Sequence, residues 1–291
     1  MTRTPLVPLC LCVMLSTGQF VAAQEALVKT GDKIAFLGDS ITQGGAGHAG
    51  GYVQRVISGL QANDIKTEMI GAGIGGHKSD QMLERLDRDV IHKKPTWMTL
   101  SCGVNDVWHG ANGVPLEAYK KNITEIVDKA QAAGIKVMIL TATMIGEDAS
   151  SENNKKLAEY NTFLRKLAVE KKCLLADLNA DMQAAIKPAA AGGRQVELQL
   201  TSDGVHMGPL GDRLMAAGIL KAFGLSDEQL KKANEDWLDA PNTAGINVHR
   251  SITLRQYEKL SALAQSRGKS VTAFMSEELQ KTIDAILSTA P

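Results

Sequence analysis

The stretch KIAFLGDSIT, residues 33–42, decides the fold of this chain. Lys33–Leu37 is a short and mostly apolar run, typical of a buried strand, and Gly38 ends it. Ser40 therefore falls in the first turn after the strand, where its side chain points off the edge of the sheet. Backbone N–H groups are free to meet an anion there. We interpret Ser40 as a candidate nucleophile.

Short β-type runs alternate with amphipathic stretches from residue 30 to about 224. The predicted strands are Lys33–Leu37, Lys66–Ile70, Trp97–Ser101, Lys136–Thr141 and Leu174–Asp177. The predicted helices are Tyr52–Ala62, Ser79–Asp89, Leu116–Ala133, Asn153–Lys171 and Pro209–Phe223. This alternation predicts an α/β fold with a parallel sheet that helices cover on both faces. Active sites of such sheets lie at the carboxyl ends of the strands.

The segments that follow the first three predicted strands are rich in glycine and polar residues. We expect Gly38–Gly51, Gly71–Lys78 and Cys102–Gly113 to be loops. Because they all follow strands, they would gather at one end of the sheet, around Ser40.

Composition limits the possible partners of the chain. With 291 residues and 44% hydrophobic content, it can bury one sizeable core and carry an appendage. Its formal net charge is zero, so no overall field attracts nucleic acid or an anionic membrane. We expect no nucleic-acid partner and no membrane span.

The first residues have the pattern of a secretory signal peptide. Arg3 supplies positive charge, Leu6–Leu15 is an apolar stretch broken by Pro8, and Val21–Ala23 offers small residues for cleavage. We predict a signal peptide over residues 1–23 and a secreted or periplasmic protein. An uncleaved anchor or a buried first helix is the alternative.

Two cysteines, Cys102 and Cys173, remain after such cleavage, so the mature chain could form one disulfide. Both border apolar runs, which favours two separate buried thiols.

Two later segments supply partners for a nucleophilic serine. Asp203-Gly-Val-His206 places an acid and a base three residues apart, and Gly103-Val-Asn105-Asp106 offers an amide side chain. A serine, a histidine, an acid and further hydrogen-bond donors are the groups that acyl transfer requires. Each segment alone could be an ordinary turn, and Ser40 alone could be a helix N-cap. The G-x-S-x-G elbow of α/β-hydrolases is absent, because Ile41 and Thr42 follow Ser40.

Taken in order, four blocks resemble the SGNH hydrolase superfamily, also called the GDSL esterase/lipase family. They are Gly38-Asp39-Ser40, Gly71–Gly76, Gly103–Asp106 and Asp203–His206, and the resemblance spans Lys33–Phe223. It implies a three-layer α/β/α sandwich with a five-stranded parallel sheet of flavodoxin-like order. It also implies a catalytic triad of Ser40, Asp203 and His206, and an oxyanion hole of Ser40, Gly76 and Asn105. Gly75 is an alternative to Gly76, and we expect Asp39 to be structural.

Three other histidines, His48, His77 and His109, fall in the loops near Ser40. They could hold zinc, but they come from separate loops without tight ligand spacing. We therefore expect no metal and no other cofactor. Trp108 and Tyr52 are candidates for pocket walls, and core packing is the alternative for Tyr52.

The chain changes character near residue 226. We assign residues 24–225 to the catalytic domain and 226–291 to a helical C-terminal extension. Val248–Leu254 alternates like a strand, and two amphipathic helices follow around Gly268, which resembles a ribbon–helix–helix module. Because no basic face is evident, we favour a helical extension that packs on the catalytic domain or forms a homodimer.

These observations predict an exported serine esterase that acts through an acyl-serine intermediate. Polar, glycine-rich loops and the lack of a long apolar lid favour short acyl esters, acetyl groups on carbohydrate above all. The alternatives are a lipase or lysophospholipase-type acyl hydrolase, and an inactive domain whose tail mediates an interaction.

Overall fold

The computed structural model describes residues 25–186, 198–245 and 251–289, so the predicted signal peptide lies outside the described residues. A five-stranded sheet forms the centre of the fold, with all strands parallel. The strands are β1 Lys33–Gly38, β2 Glu68–Gly73, β3 Trp97–Ser101, β4 Lys136–Leu140 and β5 Leu174–Ala176. Their order is β2-β1-β3-β4-β5, the flavodoxin-like order. The predicted α/β class is confirmed.

The helices of the sheet domain pack in two groups, as a three-layer sandwich requires. One group contains α2 Tyr52–Ala62, α7 Leu178–Ala185, α8 Pro209–Ala222 and α9 Asp227–Asp239. The other contains α3 Ser79–Asp89, α5 Leu116–Ala132 and α6 Glu152–Glu170. Two shorter helices, α1 Ser40–Gly47 and α4 Val104–Trp108, follow β1 and β3 directly.

The predicted loops after β1 and β3 are therefore partly wrong. Residues 40–47 are helical because the Asp39 side chain accepts a hydrogen bond from Ile41 N at 2.9 Å and caps the helix. In the same way Asp177, predicted as the end of a strand, caps α7 by accepting from Ala180 N. Strand β2 also runs on to Gly73, into the segment predicted as the second loop.

Buried aromatic side chains join the sheet to its helices. Tyr52, Tyr119 and Tyr160 are fully buried, and each phenol hydroxyl has a hydrogen-bond partner. The rings of Tyr119 and Tyr160 lie 4.8 Å apart. Such pairs add specific geometry to the burial of apolar area. Tyr52 belongs to this core, because none of its surface is exposed.

The first compact unit ends at Gly245, later than the domain boundary that we expected near 226. Helix α9 packs against α2, where Trp237 Nε1 donates to Arg55 O at 2.9 Å. Arg55 Nη2 in turn donates to Thr243 O at 3.2 Å. Through these contacts, residues 227–245 belong to the same unit as the sheet.

The second unit contains α10 Leu254–Ser266 and α11 Val271–Leu287. Phe274 is buried within it, and the Arg267 guanidinium lies 4.9 Å from the centre of its ring. The strand expected at Val248–Leu254 lies partly outside the described residues, and Ser251–Thr253 form no strand. In the described part of the chain, no helix has the length and apolarity needed to cross a bilayer.

Candidate active site

Ser40 is the first residue of α1, directly after the carboxyl end of β1. The N-cap of this helix is Asp39, so Ser40 does not cap it, and its hydroxyl is available for other contacts. Two residues before Ser40, position 38 requires glycine, because a Cβ on Gly38 would lie 1.9 Å from Thr42 Oγ1. The turn from strand to helix thus presents Ser40 at the helix N-terminus, where the helix dipole favours negative charge.

His206 and Asp203 meet Ser40 in one chain of hydrogen bonds. His206 Nε2 lies 2.9 Å from Ser40 Oγ, and His206 Nδ1 lies 2.7 Å from Asp203 Oδ2. The other carboxylate oxygen of Asp203 accepts from the backbone N–H groups of Val205 and His206. Although partial burial raises it, these hydrogen bonds hold the pKa of Asp203 below its usual value. This is the arrangement of a nucleophile, a base and an orienting acid.

The segment that carries Asp203 and His206 is a short hairpin. Ser202 N donates to His206 O at 2.8 Å, and Gly208 N donates to Leu200 O at 2.8 Å. Gly204 has a φ of +96°, which glycine adopts without strain. The segment does contain an Asp-Gly turn, and this turn also places Asp203 against His206 and His206 against Ser40.

Asn105 lies at the start of α4 and is almost fully buried. Its Nδ2 group donates to Asp39 Oδ2 and to His77 O, each at 3.2 Å. Its Oδ1 atom lies 3.2 Å from His109 Nε2. The carboxamide is thus held from both ends, and its Nδ2 group bridges Asp39, the residue before Ser40, and the backbone of His77.

The structure separates the two glycines that the sequence left as alternatives. The Gly75 N–H donates to Gln43 Oε1 at 2.8 Å. Among the described residues, the Gly76 N–H has no such acceptor, and neither does the N–H of Ser40. Gly76 has a φ of +75°, with open space where a Cβ would stand. Gly76 is therefore the glycine with a free donor.

The acidic residues beside the site are buried, and burial dominates their titration. It raises the pKa of Asp39 to about 6, against an ordinary value of 3.8. Asp106 also has a raised pKa because of its burial, although it accepts from Ser79 N and Ser79 Oγ. Asp106 thereby ties the start of α3 to α4.

The histidines of the loops near Ser40 have different side-chain partners. His48 lies 4.0 Å from Asp212, while His109 contacts Asn105. Over residues 25–186, 198–245 and 251–289, no cluster of His, Cys, Asp and Glu could hold a metal ion.

Both Cys102 and Cys173 are free thiols, and burial raises the pKa of each. Trp108 is 47% exposed next to the site.

Sequence reasoning missed two residues that hold the site. Arg85 is buried and donates to Gly38 O and Ala72 O, each at 2.8 Å, and so joins the ends of β1 and β2. Its position beside Leu86, on the apolar face of α3, is a signal that could have identified it. Glu147 binds the backbone just before Asp203, and no periodic pattern marks it.

Comparison with known proteins gives consistent matches. A profile of the GDSL-like Lipase/Acylhydrolase family matches residues 36–214. An acetylxylan esterase of Geobacillus stearothermophilus is 26% identical over 219 residues, which cover 68% of this chain and 96% of that protein.

Solved structures agree with this match. The acetyl xylan esterase AlAXEase is 34% identical, with a TM-score of 0.58, and covers 65% of this chain and 98% of its own. Axe2, an acetylxylan esterase from Geobacillus stearothermophilus, is 25% identical with a TM-score of 0.60. The match covers 68% of this chain and 97% of the Axe2 chain.

Proposed function

Since the chain belongs to the GDSL-like Lipase/Acylhydrolase family and is a carboxylic ester hydrolase, we propose that it deacylates carbohydrate through an acyl-serine. The observation that carries this proposal is the hydrogen-bonded chain from Ser40 through His206 to Asp203, at 2.9 and 2.7 Å.

Acylation begins at Ser40. Its Oγ attacks the ester carbonyl carbon while His206 Nε2 takes the hydroxyl proton. Asp203 accepts the Nδ1–H of the ring, which fixes the tautomer and stabilises the imidazolium that forms. His206 then gives its proton to the oxygen of the leaving alcohol as the carbon–oxygen bond breaks.

The negative oxygen of the tetrahedral intermediate needs hydrogen-bond donors around it. We assign this role to the N–H groups of Ser40 and Gly76 and to the side-chain amide of Asn105. The first two are free in the described part of the chain, so they meet the oxyanion without giving up a bond. Each preorganised donor of this kind contributes about 3 kcal/mol of transition-state stabilisation.

Deacylation reverses the roles. Water takes the place of the leaving alcohol, His206 removes its proton, and the hydroxide attacks the acyl carbon. The carbon–Oγ bond breaks, Ser40 recovers its proton from His206, and the carboxylic acid leaves.

Acetyl groups on a sugar chain are the substrate that we propose. Relatives named acetylxylan esterases align over 96–98% of their own lengths. The residues next to Asn105 suit a polar substrate, because Trp108 offers an exposed aromatic face and His109 has a second ring nitrogen besides the one that contacts Asn105. Aromatic faces pack well against sugar rings.

A comparison of acyl groups tests this choice. Purified protein should release acetate from acetylated xylooligosaccharides and should hydrolyse p-nitrophenyl acetate much faster than the octanoate or palmitate esters. The variant Ser40→Ala supplies the blank. A preference for the long-chain esters would contradict the acetyl proposal and favour the lipase-type alternative.

We further propose that residues 1–23 direct export and are removed. Mass spectrometry of the protein secreted by a bacterial host would show a new N-terminus at Gln24. An intact N-terminus on all of the protein would contradict export by cleavage.

For the second unit, residues 246–291 of the C-terminal extension, we propose a role in homodimer formation. Within the second unit, large apolar side chains such as Leu254, Tyr257 and Ile286 are at least half exposed, and a partner copy would cover them. Truncation after Gly245 keeps α9 with α2, and should convert a dimer into a monomer on sizing. An unchanged oligomeric state would contradict this role.

A further inference from the structure

The carboxylate of Glu147 binds three successive backbone N–H groups of another segment. Its Oε2 accepts from Gln199 N at 2.7 Å, and its Oε1 accepts from Leu200 N at 2.8 Å and Thr201 N at 2.7 Å. The hydroxyl of Thr201 donates to the same Oε1 at 2.7 Å. Although burial raises it, these four donors hold the pKa of Glu147 below its usual value, so the group is ionised at neutral pH.

Glu147 itself is held firmly in the segment between β4 and α6. Asn154, in the first turn of α6, accepts from Ile145 N and donates to the carbonyls of Ile145, Gly146 and Asp148. The carboxylate therefore projects from a segment that is fixed on both sides.

The segment that Glu147 binds is the base of the hairpin that carries Asp203 and His206. The two segments also meet at the turn, where Gly146 N donates to Gly204 O at 2.7 Å. A Cβ on Gly204 would lie 3.5 Å from Gly146 Cα, so the two backbones pack directly against each other.

Side-chain packing alone does little to hold Asp203 and His206 in position. The side chain of Asp203 is 53% exposed and that of His206 is 41% exposed. Their positions relative to Ser40 therefore depend on the backbone of the hairpin, and the hairpin depends on its anchored base. A shift of about 1 Å in a catalytic group costs up to about 100-fold in rate.

We infer that Glu147 is a positioning residue, which anchors the hairpin so that His206 stays within hydrogen-bond distance of Ser40. This inference rests on the proposed function, because it assigns Glu147 no contact with substrate. The anchor must be an anion: four donors converge on it, and a neutral amide would direct its own N–H groups against them.

Kinetics of Glu147→Gln on p-nitrophenyl acetate test the inference. We expect kcat to fall by about 10- to 100-fold while KM changes by less than about two-fold, because Glu147 holds the hairpin and is assigned no contact with substrate. Glu152→Gln, the same change at an exposed position that pairs with Lys155, is the matched control and should behave like the native protein.

The second variant is Thr201→Val, which removes the hydroxyl donor and keeps the shape of the side chain. We expect a smaller fall in kcat, and this variant decides the matter if Glu147→Gln does not fold. A proton NMR spectrum adds a direct readout, because the His206 Nδ1–H bound to Asp203 should give a downfield signal. This signal should weaken in Glu147→Gln and persist in Glu152→Gln.

Native kcat in folded Glu147→Gln, or in Thr201→Val where the first variant does not fold, would overturn the inference. Failure of the proposed function looks different: Ser40→Ala would then be as active as the native protein. The inference alone fails when Ser40→Ala is inactive and the Glu147 variant is fully active.

Discussion

The imidazole Nε2 of His206 and the hydroxyl Oγ of Ser40 lie 2.9 Å apart, although 166 positions separate the two residues in the chain. Strand β1 and helix α1 present one of them, and a hairpin held by Glu147 presents the other. Most of the groups that hold Ser40 and His206 in place are backbone atoms and buried polar side chains. Substitutions at these supporting residues can therefore be tested separately from substitutions of Ser40 and His206.

Ser40 and His206 should act as one unit. We expect Ser40→Ala and His206→Ala each to lower kcat by about 10⁴-fold or more, and the double variant to be no worse than either. Steady-state kinetics on p-nitrophenyl acetate measure this. Multiplicative losses in the double variant would contradict a shared step.

Asn105 should stabilise the transition state more than it helps to bind substrate. Asn105→Ala should lower kcat by about 100- to 1,000-fold with little change in KM. Asn63→Ala is a control, since that amide donates to Gly59 O and Gln229 O on α2 and α9. A loss that appears mainly in KM would argue against an oxyanion role.

Arg85 should be essential for stability. Its guanidinium joins Gly38 O, Ala72 O and Asp89, and it is buried, so Arg85→Met should cost about 3–5 kcal/mol in the free energy of unfolding. Arg88 pairs with the same Asp89, but its side chain is 72% exposed, so Arg88→Met should lower the free energy of unfolding much less than Arg85→Met does. Urea unfolding compares the two, and equal losses would contradict the difference in roles.

Asp39 should make stability fall as the pH rises. Its pKa is about 6 in the native state against an ordinary 3.8, so between these values the native state binds more protons than the unfolded state. Its contribution to the free energy of unfolding therefore declines from about pH 4 and reaches its lowest value above about pH 6. One pKa unit corresponds to about 1.4 kcal/mol, which sets an upper limit of about 3 kcal/mol.

Asp39→Asn should remove this dependence, because Asn can still accept from Ile41 N while carrying no charge. Unfolding by urea at several pH values should show a flatter profile for the variant than for the native protein. Parallel profiles would mean that Asp39 does not titrate in this range.

Apolar periodicity predicted most of the sheet domain. Strand β3 and helices α2 and α3 have the predicted bounds, because each is a continuous apolar run or an amphipathic stretch with clear ends. Helix α1 was missed because its sequence, SITQGGAG, has low helix propensity. It forms through the Asp39 cap and through close contact with α2, where a Cβ on Gly45 would lie 2.5 Å from the Tyr52 ring.

The chemical groups of the site could be predicted from their residue types, but their supports could not. Ser40, Asn105, Asp203 and His206 stand in short blocks whose residue types suit a nucleophile, an amide donor, an acid and a base. Arg85 binds the carbonyl of Gly38, 47 positions away, and Glu147 binds the N–H of Thr201, 54 positions away, and no local pattern encodes such partners. The free N–H of Gly76, likewise, depends on a positive φ that the sequence only permits.

The nucleophilic role of Ser40 is the central claim, and trapping the acyl-enzyme tests it most directly. Native protein mixed with p-nitrophenyl acetate and quenched in acid should carry an acetyl group on the peptide that contains Ser40, as read by mass spectrometry. Ser40→Ala should carry none there and should hydrolyse the ester about 10⁴-fold more slowly or worse. An unmodified native peptide together with equal rates for the two proteins would contradict the account.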